Sequence, residues 1–290
     1  MKKNIYSISL ILFFFTILFF SSSAFNTRDD YEEKLARKKL NSFDESLKNE
    51  SISKIIEKVG LSFLGTEYVA GTLDENIYSE KLVIKISGLD CVTFVENTLA
   101  MSRAIESGSA TFENYKDELQ TIRYRDGKIE GYTSRLHYFS DWIYDNEQKG
   151  IVKDITKKIG GVPYNKKINF MSTHSDSYKQ LGTDDGESNA IIKSIEKKIN
   201  SRNLYYIPKG EVDTYYDDLQ TGDIIATTTE IKGLDVTHTG YIYKKNGKTY
   251  FLHASIIAKE VIVSKEELKA YLKSDKKKTG IMVARPLDVN

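Results

Sequence analysis

The chain has 290 residues, 42 of them basic and 41 acidic, for a net charge of +1. That balance creates no global field to draw in nucleic acid, and only three prolines argue against Pro-rich linkers. The first residues, Met1-Lys2-Lys3-Asn4-Ile5, are basic. An apolar run from Ile8 to Phe20 and the small residues Ser21-Ser22-Ser23-Ala24 come next. This pattern predicts a cleaved signal peptide over 1–24, since the run falls short of the ~20 residues that span a bilayer. An uncleaved N-terminal anchor is the alternative. No cysteine directly follows the run, so lipid attachment is not expected.

Residues 25–50 form a charged N-terminal segment, expected to be helical and loosely attached. Ile52, Ile55, Ile56 and Val59 recur at helical spacing, which predicts a helix from about Ser51 to Val59. A loop, Gly65-Thr66-Glu67-Tyr68-Val69-Ala70-Gly71, follows. Residues 91–106 are apolar on most sides, so this helix belongs inside the protein, with Asp90 as its N-cap. The stretch from about 107 to 215 is mixed, with helical patterns at Phe112–Leu119 and Ala190–Asn200, and is expected to elaborate around the core as an insertion. Strands are predicted at Ile224–Thr229, Thr237–Lys245, Lys248–Ser255, Val261–Val263 and Gly280–Ala284. Ser264-Lys265-Glu266-Glu267 has capping-box spacing and is expected to open a short helix. Residues 51–290 are thus taken as one domain.

Cys91 is the only cysteine. In an exported chain it has no partner for an internal disulfide, which leaves an inert buried residue or a reactive thiol. At the first position of a helix it meets unsatisfied N–H groups and the positive end of the macrodipole, so a depressed thiol pKa is expected. Asn246-Gly247 is a strong signal for a two-residue type I′ turn. Such a turn places Lys245 opposite Lys248, Gly240 opposite His253 and His238 opposite Ser255. His238 and His253 then become diagonal neighbours on one face, roughly 7–8 Å apart at the backbone, and Gly240 leaves space in front of His253. A thiol nucleophile, His238 as its base and His253 as the group that orients the base form a coherent set for acyl transfer, with the Cys91 N–H facing a developing oxyanion. Two unrelated half-buried histidines are the alternative.

Four ordered blocks carry a resemblance: the loop around Tyr68, Asp90-Cys91, Leu219-Gln220-Thr221-Gly222-Asp223, and His238-Thr239-Gly240 with His253-Ala254. They resemble the NlpC-type cell-wall cysteine peptidases, a papain-like superfamily. Asp90-Cys91-Val92-Thr93-Phe94-Val95-Glu96, Ile122-Arg123-Tyr124-Arg125-Asp126-Gly127, Ser134-Arg135-Leu136-His137-Tyr138 and Asn169-Phe170-Met171-Ser172-Thr173-His174 resemble one branch, the N-acetylmuramoyl-L-alanine amidase-like proteins. The resemblance implies an α+β, papain-like fold, with the nucleophile helix on an antiparallel sheet or half-barrel. It implies cleavage of the amide between N-acetylmuramic acid and L-alanine in peptidoglycan fragments by Cys91, His238 and His253, with no metal or cofactor. It also implies an exported, periplasmic protein that meets muropeptides and neither nucleic acid nor, once its leader is cleaved, a membrane. A monomer is expected. The residues after Asp90-Cys91 are Val92-Thr93 where Ser-Gly is usual, so the pocket near the helix start should differ from that of the common endopeptidases.

Tyr68, Asp90, Ser134 and Arg135 are the expected substrate contacts, Arg135 because a guanidinium forks onto carboxylates. Asp90 acts first as a cap. His137 and His174 are expected to be structural or to line the pocket. Glu96, ~140° round the helix from Cys91, should be paired internally, and Lys276-Lys277-Lys278 should form a solvated loop. The competing functions are an endopeptidase cutting after D-glutamate in the stem peptide, zinc hydrolysis and a non-catalytic wall-binding module. The zinc reading lacks a His-Glu-x-x-His motif or a cysteine pair.

Overall fold

The computed structural model describes residues 28–182 and 186–289, so the expected leader lies outside the described residues. Among the described residues no helix is long and apolar enough to cross a membrane. The N-terminal half alternates helices with short strands: α1 (residues 28–40), α2 (Ile52–Leu61), β1 (Glu67–Tyr68), β2 (Gly88–Leu89), α3 (Cys91–Glu106) and α4 (Phe112–Arg123). Next come α5 (Phe139–Gln148), β3 (Val152–Asp154), β4 (Val162–Pro163), α6 (Phe170–Thr173), α7 (Glu187–Asn200) and β5 (Tyr205–Pro208). The C-terminal part is β6 (Ile224–Thr229), β7 (Val236–Lys245), β8 (Lys248–Ser255), β9 (Glu260–Val263), α8 (Leu268–Lys273) and β10 (Lys278–Pro286). The fold is α+β, built on a mixed sheet ordered β2-β1-β9-β8-β7-β6-β10-β5-β4, with β3 also paired to β10. Only the β1–β2 pair is parallel among the described strands.

Period-two alternation divides the sheet side chains between two layers. Ile224, Ala226, Tyr241, Leu252 and Met282 join the core that holds α3, while Ile225, Ile242, Phe251, Ile281 and Val283 pack with Leu268 and Leu272 of α8. α3 is buried along most of its length. Phe94 meets Tyr241 edge-on at 5.9 Å and Phe63 at 6.1 Å, and the Tyr241 hydroxyl donates to the Val95 carbonyl at 2.8 Å. Each such buried aromatic or aliphatic side chain contributes about 1.5–3 kcal/mol, and together they fix the depth and direction of the helix. Glu96 is paired internally, accepting from Arg123 Nε at 2.6 Å in a fully enclosed ion pair. Residues 107–215 supply α4 to α7 and β3 to β5, and Tyr115, Leu119, Ile122 and Trp142 enter the same core as α3.

Three expectations are corrected. The charged N-terminal segment is docked rather than loose: Ala36 and Leu40 enter the core, and buried Glu32 accepts from the amides of Ile86 at 2.7 Å and Ser87 at 3.0 Å and from Lys85 Nζ at 3.2 Å. Burial opposes the Glu32 charge, but the donors from Ser87, Ile86 and Lys85 outweigh it and hold its carboxyl below the ordinary range. The Ser264 capping box does not form. Its hydroxyl accepts from the Phe251 amide at 3.0 Å and donates to the Glu266 carbonyl at 2.7 Å, and α8 begins only at Leu268. Lys278 is not in a solvated loop but starts β10, buried, with Nζ 3.8 Å from the centroid of the Tyr271 ring.

Replacing Glu32 with alanine strands the amides of Ile86 and Ser87. The expected cost is about 2 kcal/mol or more, measured as a lower urea midpoint with an unchanged m-value.

Candidate active site

Asp90 follows β2 and caps α3 in both directions: its carboxylate accepts from the Thr93 amide at 2.8 Å, and the Thr93 hydroxyl accepts from the Asp90 amide at 2.9 Å. Threonine thus takes the place of the usual Glu or Gln of a capping box. The cap starts the helix at Cys91, whose side chain is half-buried. Opposite it, Asn246 and Gly247 take φ of 53° and 74°, the two positive values a type I′ turn requires. The register is the one this turn dictates, from Lys245 opposite Lys248 to Tyr241 opposite Leu252. A Cβ on Gly240 would lie 2.5 Å from the Leu252 carbonyl oxygen and 2.8 Å from His253 Cβ, so only glycine fits between strand and ring.

His238 Nε2 and His253 Nδ1 are hydrogen-bonded at 2.7 Å, with the rings at 90° and 4.9 Å between centroids. Phe251 stacks on His253 at 4.7 Å, and Tyr271 of α8 closes over it at 5.1 Å. The bond consumes His238 Nε2. If Nε2 carries the proton and donates it, Nδ1 of His238 is left as the basic nitrogen.

Cys91 and His238 line one cleft of about 220 Å³, together with Asp74, Asp90, Arg135, His137, Asp235 and Thr239, among others. The Thr239 amide, next in the chain to the histidine, favours the Cys91 thiolate, as do the N–H groups of Cys91 and Val92. The sulfur and the His238 ring share the cleft without a hydrogen bond between them in this resting state; such contacts often tighten only when substrate binds.

The electrostatics correct one expectation. Burial pushes the Cys91 thiol up to about 12, the Asp90 carboxylate adds to the rise, and the three N–H groups only partly oppose it. A helix N-terminus alone would have lowered it. The residue's partial exposure governs access to the sulfur, while the packing around the sulfur governs the cost of charging it. Burial also lowers His238 well below 6.5, with the charges of His253 and Lys278 acting in the same direction. His253 falls to about 4, by burial first and Lys278 second. The resting site is therefore a neutral thiol beside two neutral imidazoles.

Tyr68 is half-buried near the sulfur, and burial, with the charges of Cys91 and Asp90, pushes its phenol up to about 12, so it stays a donor. Arg135 lines the cleft, but Asp74 and Glu80 already hold its terminal nitrogens. Ser134 is not brought to this cleft. Its hydroxyl donates to the Gly131 carbonyl at 2.6 Å and accepts from the Glu130 amide at 3.0 Å, and it faces a separate depression with Arg125 and Lys198. His137 lines the cleft, bonded to the Tyr132 carbonyl at 2.8 Å and lowered by burial to about 3. His174 stacks on Phe170 at 4.2 Å, away from the cleft. Asp74, Asp235, Tyr271 and Lys278 belong to the site or its immediate support without a local sequence pattern to announce them.

A family model described as N-acetylmuramoyl-L-alanine amidase-like (AmiA-like) matches residues 58–281. The chain belongs to that family. Solved structures agree with this membership. An N-acetylmuramoyl-L-alanine amidase from Bacteroides uniformis ATCC 8492 is 39% identical over 81% of this chain and 98% of its own, with a TM-score of 0.77. A Bacteroides fragilis structure described as a candidate xylanase is 40% identical, over 79% of this chain and 99% of its own, with a TM-score of 0.74. A Legionella pneumophila protein at 23% identity, over 92% of this chain and 97% of its own and with a TM-score of 0.64, shares the fold. No curated protein matches the chain.

Two measurements check the electrostatics of this AmiA-like site. Iodoacetamide should label Cys91 more slowly at pH 7 than a free thiol of pKa ~8.5, with the rate still rising above pH 9. The three lowered histidines bind protons less readily folded than unfolded, so the unfolded chain takes up more protons as pH falls. Their contribution to stability is complete above about 6.5 and declines as pH falls toward 4. The urea midpoint should therefore drop across that window.

Proposed function

We propose that the protein is a cysteine amidase that hydrolyses the bond between N-acetylmuramic acid and L-alanine in muropeptides, on a papain-like scaffold of the NlpC type. The observation that carries this reading is the His238–His253 hydrogen bond, with His238 lining the cleft that holds Cys91 at the start of α3. Substrate binding brings the lactyl carbonyl to the sulfur. As Cys91 attacks, its proton passes to His238 Nδ1, and His253 steadies the imidazolium through Nε2. The amides of Cys91 and Val92, which favour the thiolate at rest, serve the oxyanion once the sulfur bonds to the carbonyl carbon. His238 then protonates the L-alanine amine as it leaves, and water attacks the muramoyl thioester by the same route in reverse. Starting from a neutral pair suits this order, because thiolate forms only when an acyl group is there to take it. Tyr68, Asp90 and Arg135 are the substrate contacts, and Ser134 is left out because its hydroxyl is used within its own turn.

The site serves an exported, periplasmic enzyme after cleavage at Ala24, working as a monomer on wall fragments. The xylanase description of one relative does not fit this cleft. Glycoside hydrolysis needs two available carboxyl groups; here Asp90 caps a helix, Glu96 pairs with Arg123, and Asp235 accepts from the amides of Ser140 and Val236, which leaves Asp74 alone.

Digestion of defined muropeptides followed by mass spectrometry should release the intact stem peptide beginning with L-alanine. An L-Ala-D-Glu dipeptide left on the sugar would instead identify the D-glutamyl endopeptidase. Cys91→Ala and His238→Ala should each lower kcat/KM on the order of 10³-fold or more, with His253→Ala less severe; a wall-binding module would keep its behaviour in Cys91→Ala. With the base lowered and the thiol raised, kcat/KM should hold its plateau from pH 7.5 down to about 5.5.

A further inference from the structure

Arg135 stands in the wall of the Cys91 cleft with two carboxylates on its fork. Nη1 donates to Asp74 Oδ1 and Nη2 to Glu80 Oε2, each at 3.1 Å. The two acids are not equivalent. The Glu80 side chain is 4% exposed and also accepts from the Tyr124 hydroxyl at 2.7 Å, so it is a fixed counter-ion. The Asp74 side chain is 56% exposed, lies in the loop that lines the cleft with Gly71 and Leu73, and among the described residues receives a hydrogen bond from Arg135 alone. The pair is open to solvent only at its Asp74 end, which is where another carboxylate can approach the guanidinium. The guanidinium itself is buried, and its Nε donor has no partner among the described residues.

We infer that Asp74 holds the place of a substrate carboxylate on Arg135, and that anionic muramoyl peptides enter the cleft by exchanging their own carboxylate for it. The inference rests on the muramoyl-peptide reading above and adds an orientation to it. In such a substrate the lactyl carboxyl is the acyl half of the scissile amide, so every free carboxylate lies on the amine side. Arg135 therefore marks where the departing peptide sits, and the sugar extends to the other side of Cys91. Exchange of one carboxylate for another keeps the buried guanidinium neutralised by the same number of charges and retains charge-assisted hydrogen bonds. An amidated peptide displaces Asp74 without replacing its charge, and so binds less well.

The test uses full-length Cys91→Ala and calorimetric titration with N-acetylmuramoyl-L-alanyl-D-glutamate and with its diamide. The acid should bind about tenfold tighter than the diamide. Adding Asp74→Asn, which removes the competitor and leaves the buried Glu80 pair intact, should raise that ratio several-fold; adding Arg135→Lys should lower it. Equal binding of acid and diamide, or a ratio that Asp74→Asn does not raise, overturns the inference while leaving the amidase reading standing. Binding of neither ligand overturns both.

Discussion

The two-residue turn at Asn246-Gly247 decides what the rest of the site can be. Both residues adopt positive φ, which an asparagine tolerates and a glycine adopts freely, and the twist of that turn leaves one register for β7 on β8. From that register the imidazoles of His238 and His253 meet at 2.7 Å, and Gly240 provides the gap they need. A slip of one residue would turn every side chain of one strand to the opposite face. Phe251 and Tyr271 then hold the pair from the α8 side, so the geometry is set by covalent turn chemistry first and aromatic packing second.

A second constraint is charge. The cleft is lined by acids and bases, yet the groups at its centre are neutral at rest. Burial is the common cause, and Lys278, held over the Tyr271 ring, reinforces it by disfavouring a second positive charge on the histidines. Neutrality spares the fold a buried thiolate–imidazolium pair, whose desolvation would cost several kcal/mol. It also leaves the proposed nucleophile inert toward small electrophiles until a substrate occupies the cleft.

Much of this was legible in the residues themselves, where local rules govern. α2 starts close to Ser51, Asp90 caps α3, and β6 and β8 begin and end where apolar patterning and turn residues place them. The histidine pair followed from one dipeptide and the period of a strand. What stayed hidden depends on residues far apart in the chain. The Arg135–Asp74 pair joins positions 61 apart, and Lys278 reaches the histidines only because β10 lies beside β6. The thiol departs from its expected behaviour for a related reason: the helix terminus is visible in sequence, whereas the depth of burial that outweighs it is a property of the assembled core. Ser264 shows the opposite failure, a local capping pattern overridden when the neighbouring Phe251 amide claimed the hydroxyl.

The anchoring of α1 by Glu32 bears on how the start of α3 is held. Its carboxylate grips Lys85, Ile86 and Ser87, the residues that lead directly into β2, Asp90 and Cys91. α1 therefore serves as a brace for the strand that leads to Cys91. Loss of the Glu32 carboxylate would release the strand that leads to the sulfur, whatever remained of the sheet behind it.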